Sequence, residues 1–345
     1  MEDEVSLAEK VSYLESGRAF PDRPDRVESV ETHFAWVFLS PRFVYKLKKP
    51  IRFGLIDFRD REARRAYCEL EVTLNRRLAE DTYLRVVPLV RTERGLAVGD
   101  DAVGDDADGV VDWLVVMRRL PSGATLADVG CRASDADLGR IMGKLVEFYM
   151  HRAIRAPWDG PGYVDALERS SAATARGAIT VGGQDRGLPH DTVRRIAALQ
   201  QEFVERNRPL LERRAREHRI VDAHGDLRAE HVFMTDAPQV IDCLEFSVAL
   251  RWLDAAEEIA FLALDCDRLG APETGARLLE AYRRLANDPV PQALLHFYRS
   301  RRALARAVLY ARRVPDAASD ADQWRARARW YLDAAEKSIV AASRP

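Results

Sequence analysis

The chain has 345 residues, 47% of them hydrophobic, which is long enough to build two cores and not just one. Lys and Arg number 53 against 55 Asp and Glu, a net charge of −2. That balance removes the electrostatic argument that a basic domain offers for nucleic acid and means that any anionic ligand is held locally.

No apolar run reaches membrane-spanning length, and the acidic opening MEDEVSLAEK does not read as a signal peptide. The four cysteines, Cys68, Cys131, Cys243 and Cys266, lack the C-x-x-C spacing of a zinc or redox site. The expectation is a cytoplasmic protein with no membrane and no nucleic-acid partner. Val5, Leu7, Val11 and Leu14 recur at helical spacing and predict an opening amphipathic helix, followed by a Pro- and Asp-rich break at 21–25. Two β-rich runs, 34–39 and 42–47, flank Ser40-Pro41 in the pattern of a hairpin. The period then changes, and Tyr67, Leu70, Leu74 and Leu78 form a stripe that predicts a helix over 59–78.

Strand-like runs return at 83–90 and 110–117 around an acidic loop, 99–109. The loop lacks the ligand spacing and closing Glu of a calcium loop and reads as a solvated turn. After Pro121 the pattern is mostly helical, with Leu138, Ile141, Leu145 and Phe148 marking one helix and Val193, Ile196, Leu199 and Phe203 another. Only 220–243 interrupts it with short strand-like segments. Amphipathic helices resume at 254, and no solenoid-length repeat is present. The outline is α+β: a small β-rich lobe at 1–120 and a larger, mainly helical lobe at 121–345.

The chemistry concentrates in the polar insert. Asp222-Ala-His224-Gly225-Asp226-Leu227-Arg228-Ala-Glu230-His231 lies between apolar β segments and is followed by Val240-Ile241-Asp242-Cys243-Leu244-Glu245-Phe246. A stiff frame on either side suits carboxylates that must be held in place. Phosphoryl transfer needs two such groups: one orients and deprotonates the nucleophile, the other holds the metal that neutralises the phosphates. A hairpin whose carboxylates merely cap neighbouring helices is the competing structural reading.

His224-Gly225-Asp226-Leu227 resembles the H-G-D-L catalytic loop of the aminoglycoside phosphotransferase-like kinases, and Ile241-Asp242 resembles their metal-binding aspartate. H-G-D-L-R-x-E-H followed by I-D-C-L-E-F is similar to an uncharacterised bacterial subfamily, in which a P-loop kinase domain often follows. No G-x-x-x-x-G-K-[ST] occurs here, so only the first module is expected, with a separate partner protein in place of the missing one. The resemblance implies a bilobal protein kinase-like fold, with a nucleotide-binding N-lobe at 1–120 and a C-lobe at 121–345 carrying the catalytic loop and acceptor site. It further implies ATP or GTP with Mg2+, Asp226 as catalytic base, Asp242 as metal ligand, and a small-molecule hydroxyl or amine acceptor. His224 is expected to brace the loop, Arg228 to lie at the reacting centre, and Cys243 to be packing. His231 stands where relatives carry a metal-binding asparagine, so either it ligates less conventionally or Glu230 or Glu245 supplies the oxygen.

On the nucleotide side, period-two alternation puts Val44, Lys46 and Lys48 on one strand face. Val44 fits over the base and Lys46 on the phosphates, whereas Lys48 and Lys49 read as a solvated strand end with Lys48 as the fallback. The predicted helix offers Glu69 or Glu71 to orient the lysine; Glu71 resembles the family's choice, and the other is a surface charge. Thr32 and His33 occupy the region where protein kinases carry a glycine-rich loop and are candidate phosphate donors. Met117 and Arg119 fall in the connector whose backbone would bind adenine. For the acceptor, Asp254 is expected to brace the catalytic loop. Glu257 and Glu258 read as helix surface, and 299–313 as an amphipathic arginine-rich helix. A nucleotide-binding module without turnover, or transfer of another group from ATP, are the alternatives to a kinase.

Overall fold

The computed structural model describes residues 5–53, 56–99, 109–314 and 320–344. Residues 1–4 and most of the predicted acidic turn, 100–108, lie outside the described residues. In chain order the elements begin with α1 (Leu7–Glu15), β1 (Glu28–Glu31), β2 (Ala35–Leu39), β3 (Phe43–Lys48), β4 (Arg52–Phe53), β5 (Ile56–Asp57) and α2 (Arg61–Asn75). They continue with β6 (Tyr83–Thr92), β7 (Gly95–Val98), β8 (Val110–Arg118), α3 (Leu126–Val129), α4 (Asp135–Glu147), α5 (Gly160–Val181) and α6 (His190–Arg216). The last group is β9 (Ile220–Asp222), β10 (Val232–Phe233), β11 (Gln239–Val240), α7 (Val248–Arg251), β12 (Trp252–Asp254), α8 (Ala255–Arg268), α9 (Pro272–Leu285), α10 (Gln292–Ala311) and α11 (Ala321–Ala342). The chain divides into two compact units, Met1–Thr125 with His231–Val248, and Leu126–Glu230 with Ala249–Pro345.

The first unit is a six-stranded antiparallel sheet in the order β1-β2-β3-β8-β6-β7. Strand alternation sends Tyr45 and Leu47 into one core with Phe38, Leu14 and Leu114, and sends Val44 to the other face with Val115, Met117 and Cys68. Each fully buried side chain of this size contributes about 1.5–3 kcal/mol. Helix α1 starts on a capping box in which Ser6 and Glu9 satisfy each other's backbone N–H. Helix α2 starts on Asp60, whose carboxylate accepts from Ala63 N at 2.8 Å. Its buried face is rotated only partly from the predicted stripe: Leu74 and Leu78 are buried but Leu70 is exposed, and Arg64, Cys68, Glu71 and Asn75 turn inward. Arg64 explains the rotation, because it meets Asp112 of β8 through two bonds of 2.8 and 3.0 Å.

Segment 231–248 groups with this unit although it follows residue 120 by more than a hundred positions. The reason is its hydrogen bonding. Met234 N donates to Ala124 O, Val240 N to Leu78 O, Cys243 N to Asn75 Oδ1, and Asp242 N to the Tyr83 hydroxyl.

The second unit is helical around α8, where every residue from Ala255 to Cys266 is buried. A helix buried on all sides is the centre of its core. Asp254 caps it, accepting from Ala256 N, and its carboxylate pairs with Arg214 of α6 and accepts from the Tyr298 hydroxyl of α10. Two short strands, β9 and β12, pair antiparallel with Asp222 opposite Trp252, and the polar loop leaves directly from β9. Among the described residues no helix is long and apolar enough to cross a membrane.

Candidate active site

Two clusters of functional groups emerge, one in each unit. In the first unit, β3 pairs with β8 so that Lys46 lies opposite Val115, and its amine leaves the sheet on the α2 side. Lys46 Nζ bonds Glu71 Oε1 at 2.7 Å and Asp242 Oδ1 at 3.0 Å. Burial opposes its charge, but Asp242 and Glu71 outweigh it and hold the ammonium well above its ordinary pKa. Glu71 is fully buried, and despite that burial Lys46 and Lys48 keep its carboxyl below the ordinary range. Glu69, two residues away, is exposed and pairs with Arg65 one turn earlier.

Lys48 is not the solvated strand end that the sequence suggests. It is 1% exposed and bonds Glu71 Oε2 and Glu245 Oε1, each at 2.6 Å. Lys49 is also engaged, by Glu31 and by the Thr32 carbonyl at 2.6 Å. The first unit therefore holds a continuous chain of charge, Glu245–Lys48–Glu71–Lys46–Asp242.

Asp242 ends that chain in an unusual backbone state. Its φ is +64°, the left-handed region that L residues other than Asn and Asp seldom enter. The Tyr83 hydroxyl accepts from its amide at 3.2 Å and helps to hold that geometry. Its side chain is 48% exposed, and Oδ2 stands 3.5 Å from His231 Nε2.

Magnesium retains several waters and typically binds through one or two carboxylates plus substrate phosphates, so a half-exposed carboxylate of this kind fits it. His231 is a softer second donor. Glu245 is committed to Lys48, and Glu230 pairs with Arg228. Among the described residues no group of three or more His, Cys, Asp or Glu forms a ready-made cage.

In the second unit the His-Gly-Asp loop is set by α8 and α10. Glu258 Oε2 accepts from His224 N at 2.8 Å, and Oε1 accepts from Gly225 N at 2.6 Å. The Tyr149 hydroxyl donates to the same carboxylate at 2.9 Å. Burial raises the Glu258 pKa above the ordinary value, against the pull of the two amides, Arg302 and Tyr149. Gly225 has φ +89°, which a side chain would strain. His224 is fully buried, and its Nδ1 accepts from Asp226 N at 3.3 Å, so the imidazole braces the turn.

Asp226 itself is partly exposed. Arg228 Nε donates to its Oδ2 at 3.0 Å, and Arg306 Nη1 to its Oδ1 at 3.4 Å. Arg302, one helical turn before Arg306, donates to the Gly225 carbonyl.

Three expectations about charged side chains in the second unit need correction. Glu257 and Glu258 are 1% and 0% exposed, not helix surface, and it is Glu258 that grips the His-Gly-Asp loop directly. Asp254 instead caps α8 and pairs with Arg214. The arginine-rich stretch faces partly inward: Arg299 pairs with Asp267, and Arg302 and Arg306 reach the loop. The Thr32 hydroxyl donates to the Ala35 carbonyl and accepts from its amide at the β1–β2 turn, while the His33 ring meets Phe34 edge-on. Met117 packs against Val44, and Arg119 N donates to Arg42 O while its guanidinium reaches Ser40 O at 3.0 Å. Cys243 is buried packing, in contact with Arg77. Arg302, Arg306 and Glu258 carry roles that sequence reasoning missed; the only signal was charge at four-residue spacing on a helix.

A scan against protein-family models finds no match. An uncharacterized protein of Mycobacterium tuberculosis is 33% identical over 301 residues, covering 84% of this chain and 57% of its own length. Its counterpart in Mycobacterium bovis gives the same figures. The chain thus spans little more than half the length of the curated relatives it matches.

Among solved structures, a choline kinase from Cryptosporidium parvum superposes with a TM-score of 0.56 at 12% identity over 96% of each chain. An aminoglycoside phosphotransferase solved with GDP and kanamycin gives 0.53 at 12% identity, covering 95% of this chain and 98% of that one. A choline/ethanolamine kinase family protein from Mesorhizobium loti gives 0.51 at 13% identity, over 96% and 99%. The chain therefore has a bilobal α+β fold similar to that of these kinase and phosphotransferase structures.

Proposed function

We propose that the chain is a nucleoside-triphosphate-dependent phosphotransferase acting on a hydroxyl or amine of a small molecule. The observation that carries this reading is the Lys46 ammonium bonded at once to buried Glu71 and half-exposed Asp242. Such a lysine is fixed in direction yet has one partner it can exchange for phosphate oxygens.

Val44 and Met117 offer apolar surface to the base, and Lys46 binds the phosphates of ATP or GTP. Asp242, with His231 beside it, would hold magnesium, which when bound neutralises charge on the phosphates. Asp226 orients the acceptor and takes its proton as the new O–P or N–P bond forms and the nucleoside diphosphate leaves. For that step Asp226 must exchange at least one of its two arginine contacts for the acceptor. Arg228, freed in the same event, is then available to the transferring phosphoryl group.

Two observations favour a second reading, a nucleotide-binding regulatory module without turnover. Both oxygens of Asp226 are engaged by arginines, and His231 replaces the expected asparagine. The discriminating experiment offers Mg-ATP and a metabolite extract to the wild type and to Asp226→Ala, with mass spectrometry of the products. A species about 80 mass units heavier, formed only by the wild type, supports phosphoryl transfer. A heavier adduct containing the nucleotide would redirect the assignment to nucleotidyl transfer. Absence of product, with nucleotide still raising the melting temperature, would favour the regulatory module.

A further inference from the structure

The surroundings of Asp226 in the second unit are cationic. Arg306 bonds the carboxylate and, through Nη2, the Tyr310 hydroxyl at 3.2 Å, with its guanidinium 5.2 Å from the Tyr310 ring centre. Tyr310 stacks on Trp324 of α11 with ring centres 5.9 Å apart. Arg327 stands 5.8 Å from the Tyr310 ring and 5.2 Å from the Trp324 ring, and Arg313 lies 5.1 Å from Trp324. The result is a ladder of arginine and aromatic planes running from the aspartate along α10 and α11.

Among the described residues, carboxylates do not balance it. Asp226 is shared by Arg228 and Arg306, Glu230 serves Arg228, and Asp265 is committed to Arg268 and the Ala229 amide. Arg313 and Arg327 make only aromatic contacts among the described residues. The Arg306 Nε is buried with no hydrogen-bond partner. Burial, and then the positive charges of Arg306, Arg228 and Arg327, hold the Arg313 pKa below its ordinary value against the pull of Tyr310, as expected where like charges crowd. An acceptor with fixed positive charge, such as choline or kanamycin, would add to that repulsion. An acceptor with anionic oxygens would relieve it, and arginine forks match phosphate or carboxylate oxygens two at a time.

We propose that the phosphate acceptor is itself an anion, a small molecule carrying a phosphate, sulfate or carboxylate group that Arg306, Arg313 and Arg327 bind beside Asp226. This rests on the phosphotransferase reading and narrows its substrate class. The aromatic planes set the arginine planes and leave their outer N–H groups to the anion.

The test is to separate a metabolite extract by charge at pH 7 into anionic, neutral and cationic pools, and to offer each with Mg-ATP to the wild type and to the double variant Arg313→Gln/Arg327→Gln. Product is expected from the anionic pool. The double variant should raise KM for the purified acceptor at least tenfold, with kcat and the KM for ATP little changed. Product from the neutral or cationic pool alone would overturn the inference and leave the kinase reading intact. So would an anionic product that the double variant makes equally well, or a raised KM for ATP, which would assign the arginines to the nucleotide phosphates. No product from any pool, with nucleotide still stabilising the protein, would remove the proposed function and this inference with it.

Discussion

The two carboxylates singled out for chemistry live in opposite surroundings. Asp242 ends a chain of lysines and glutamates, half-exposed and in a left-handed backbone state, with partners whose flexible stems allow exchange. Asp226 sits in a loop whose preceding residues are pinned by Glu258, and arginines contact both of its oxygens. The first environment suits a ligand that arrives with its own cation and leaves again. The second, on the proposed phosphotransferase reading, suits a group whose position must not drift during proton transfer. Lysine, a mobile point charge, and arginine, a planar fork, divide between the two sites accordingly.

The sharpest way to break this comparison is Asp226→Ala. It should abolish turnover, by about a thousandfold or more, while the nucleotide-induced rise in melting temperature persists. Unchanged turnover would remove Asp226 from the chemistry.

Next in size is the pair Lys46→Met and Lys48→Met. Lys48 is sealed between Glu71 and Glu245, and its loss leaves buried carboxylates unpaired, so denaturant unfolding should show a loss of about 3 kcal/mol. Lys46→Met should act mainly on nucleotide affinity, read by titration calorimetry. If the two variants behaved alike, the division between a structural and a phosphate-binding lysine would fail.

Asp242→Asn should keep the fold, because asparagine also tolerates a positive φ, yet weaken magnesium-dependent nucleotide binding about tenfold or more. Magnesium dependence identical to that of the wild type would count against Asp242.

A smaller effect concerns Glu258, whose folded pKa is raised by burial. Between its ordinary value near 4.5 and the higher folded value, the native state binds more proton than the unfolded chain. The contribution of Glu258 to stability is therefore present in acid and lost as pH rises through the folded pKa. Glu258→Gln should flatten that part of the stability-versus-pH curve; an identical slope in the variant would refute the assignment. Glu69→Ala, at the bottom of the scale, should change stability by only a few tenths of a kcal/mol and leave turnover untouched.

Much of this was legible from the chain alone. The β2–β3 hairpin, the α2 helix, the mostly helical second half and the placement of Lys46, Asp226 and Asp242 on or beside short strands all follow from period, turn residues and motif. The inward face of α2 was not legible, because Arg64, Glu71 and Asn75 are polar and a hydrophobic stripe cannot reveal a face buried through ion pairs. Lys48, Glu257 and Glu258 were misjudged for the same reason: charge alone does not show whether a partner waits in the core. Arg302 and Arg306 became visible only when α10 brought them to a loop about eighty positions earlier in the sequence.

Arg302, Arg306 and Tyr310 follow one another at intervals of four residues along α10. A single face of one regular helix therefore lies against Asp226 and the loop that carries it, and it is separate from the helix whose Glu258 steadies that loop. If Asp226 meets an acceptor as proposed, exchanging Arg306 or Tyr310 on that face would recharge or reshape its surroundings while the Glu258 contacts to the loop amides stay in place. On that reading, α10 is for a protein engineer the dial on which new acceptors can be tried one helical turn at a time.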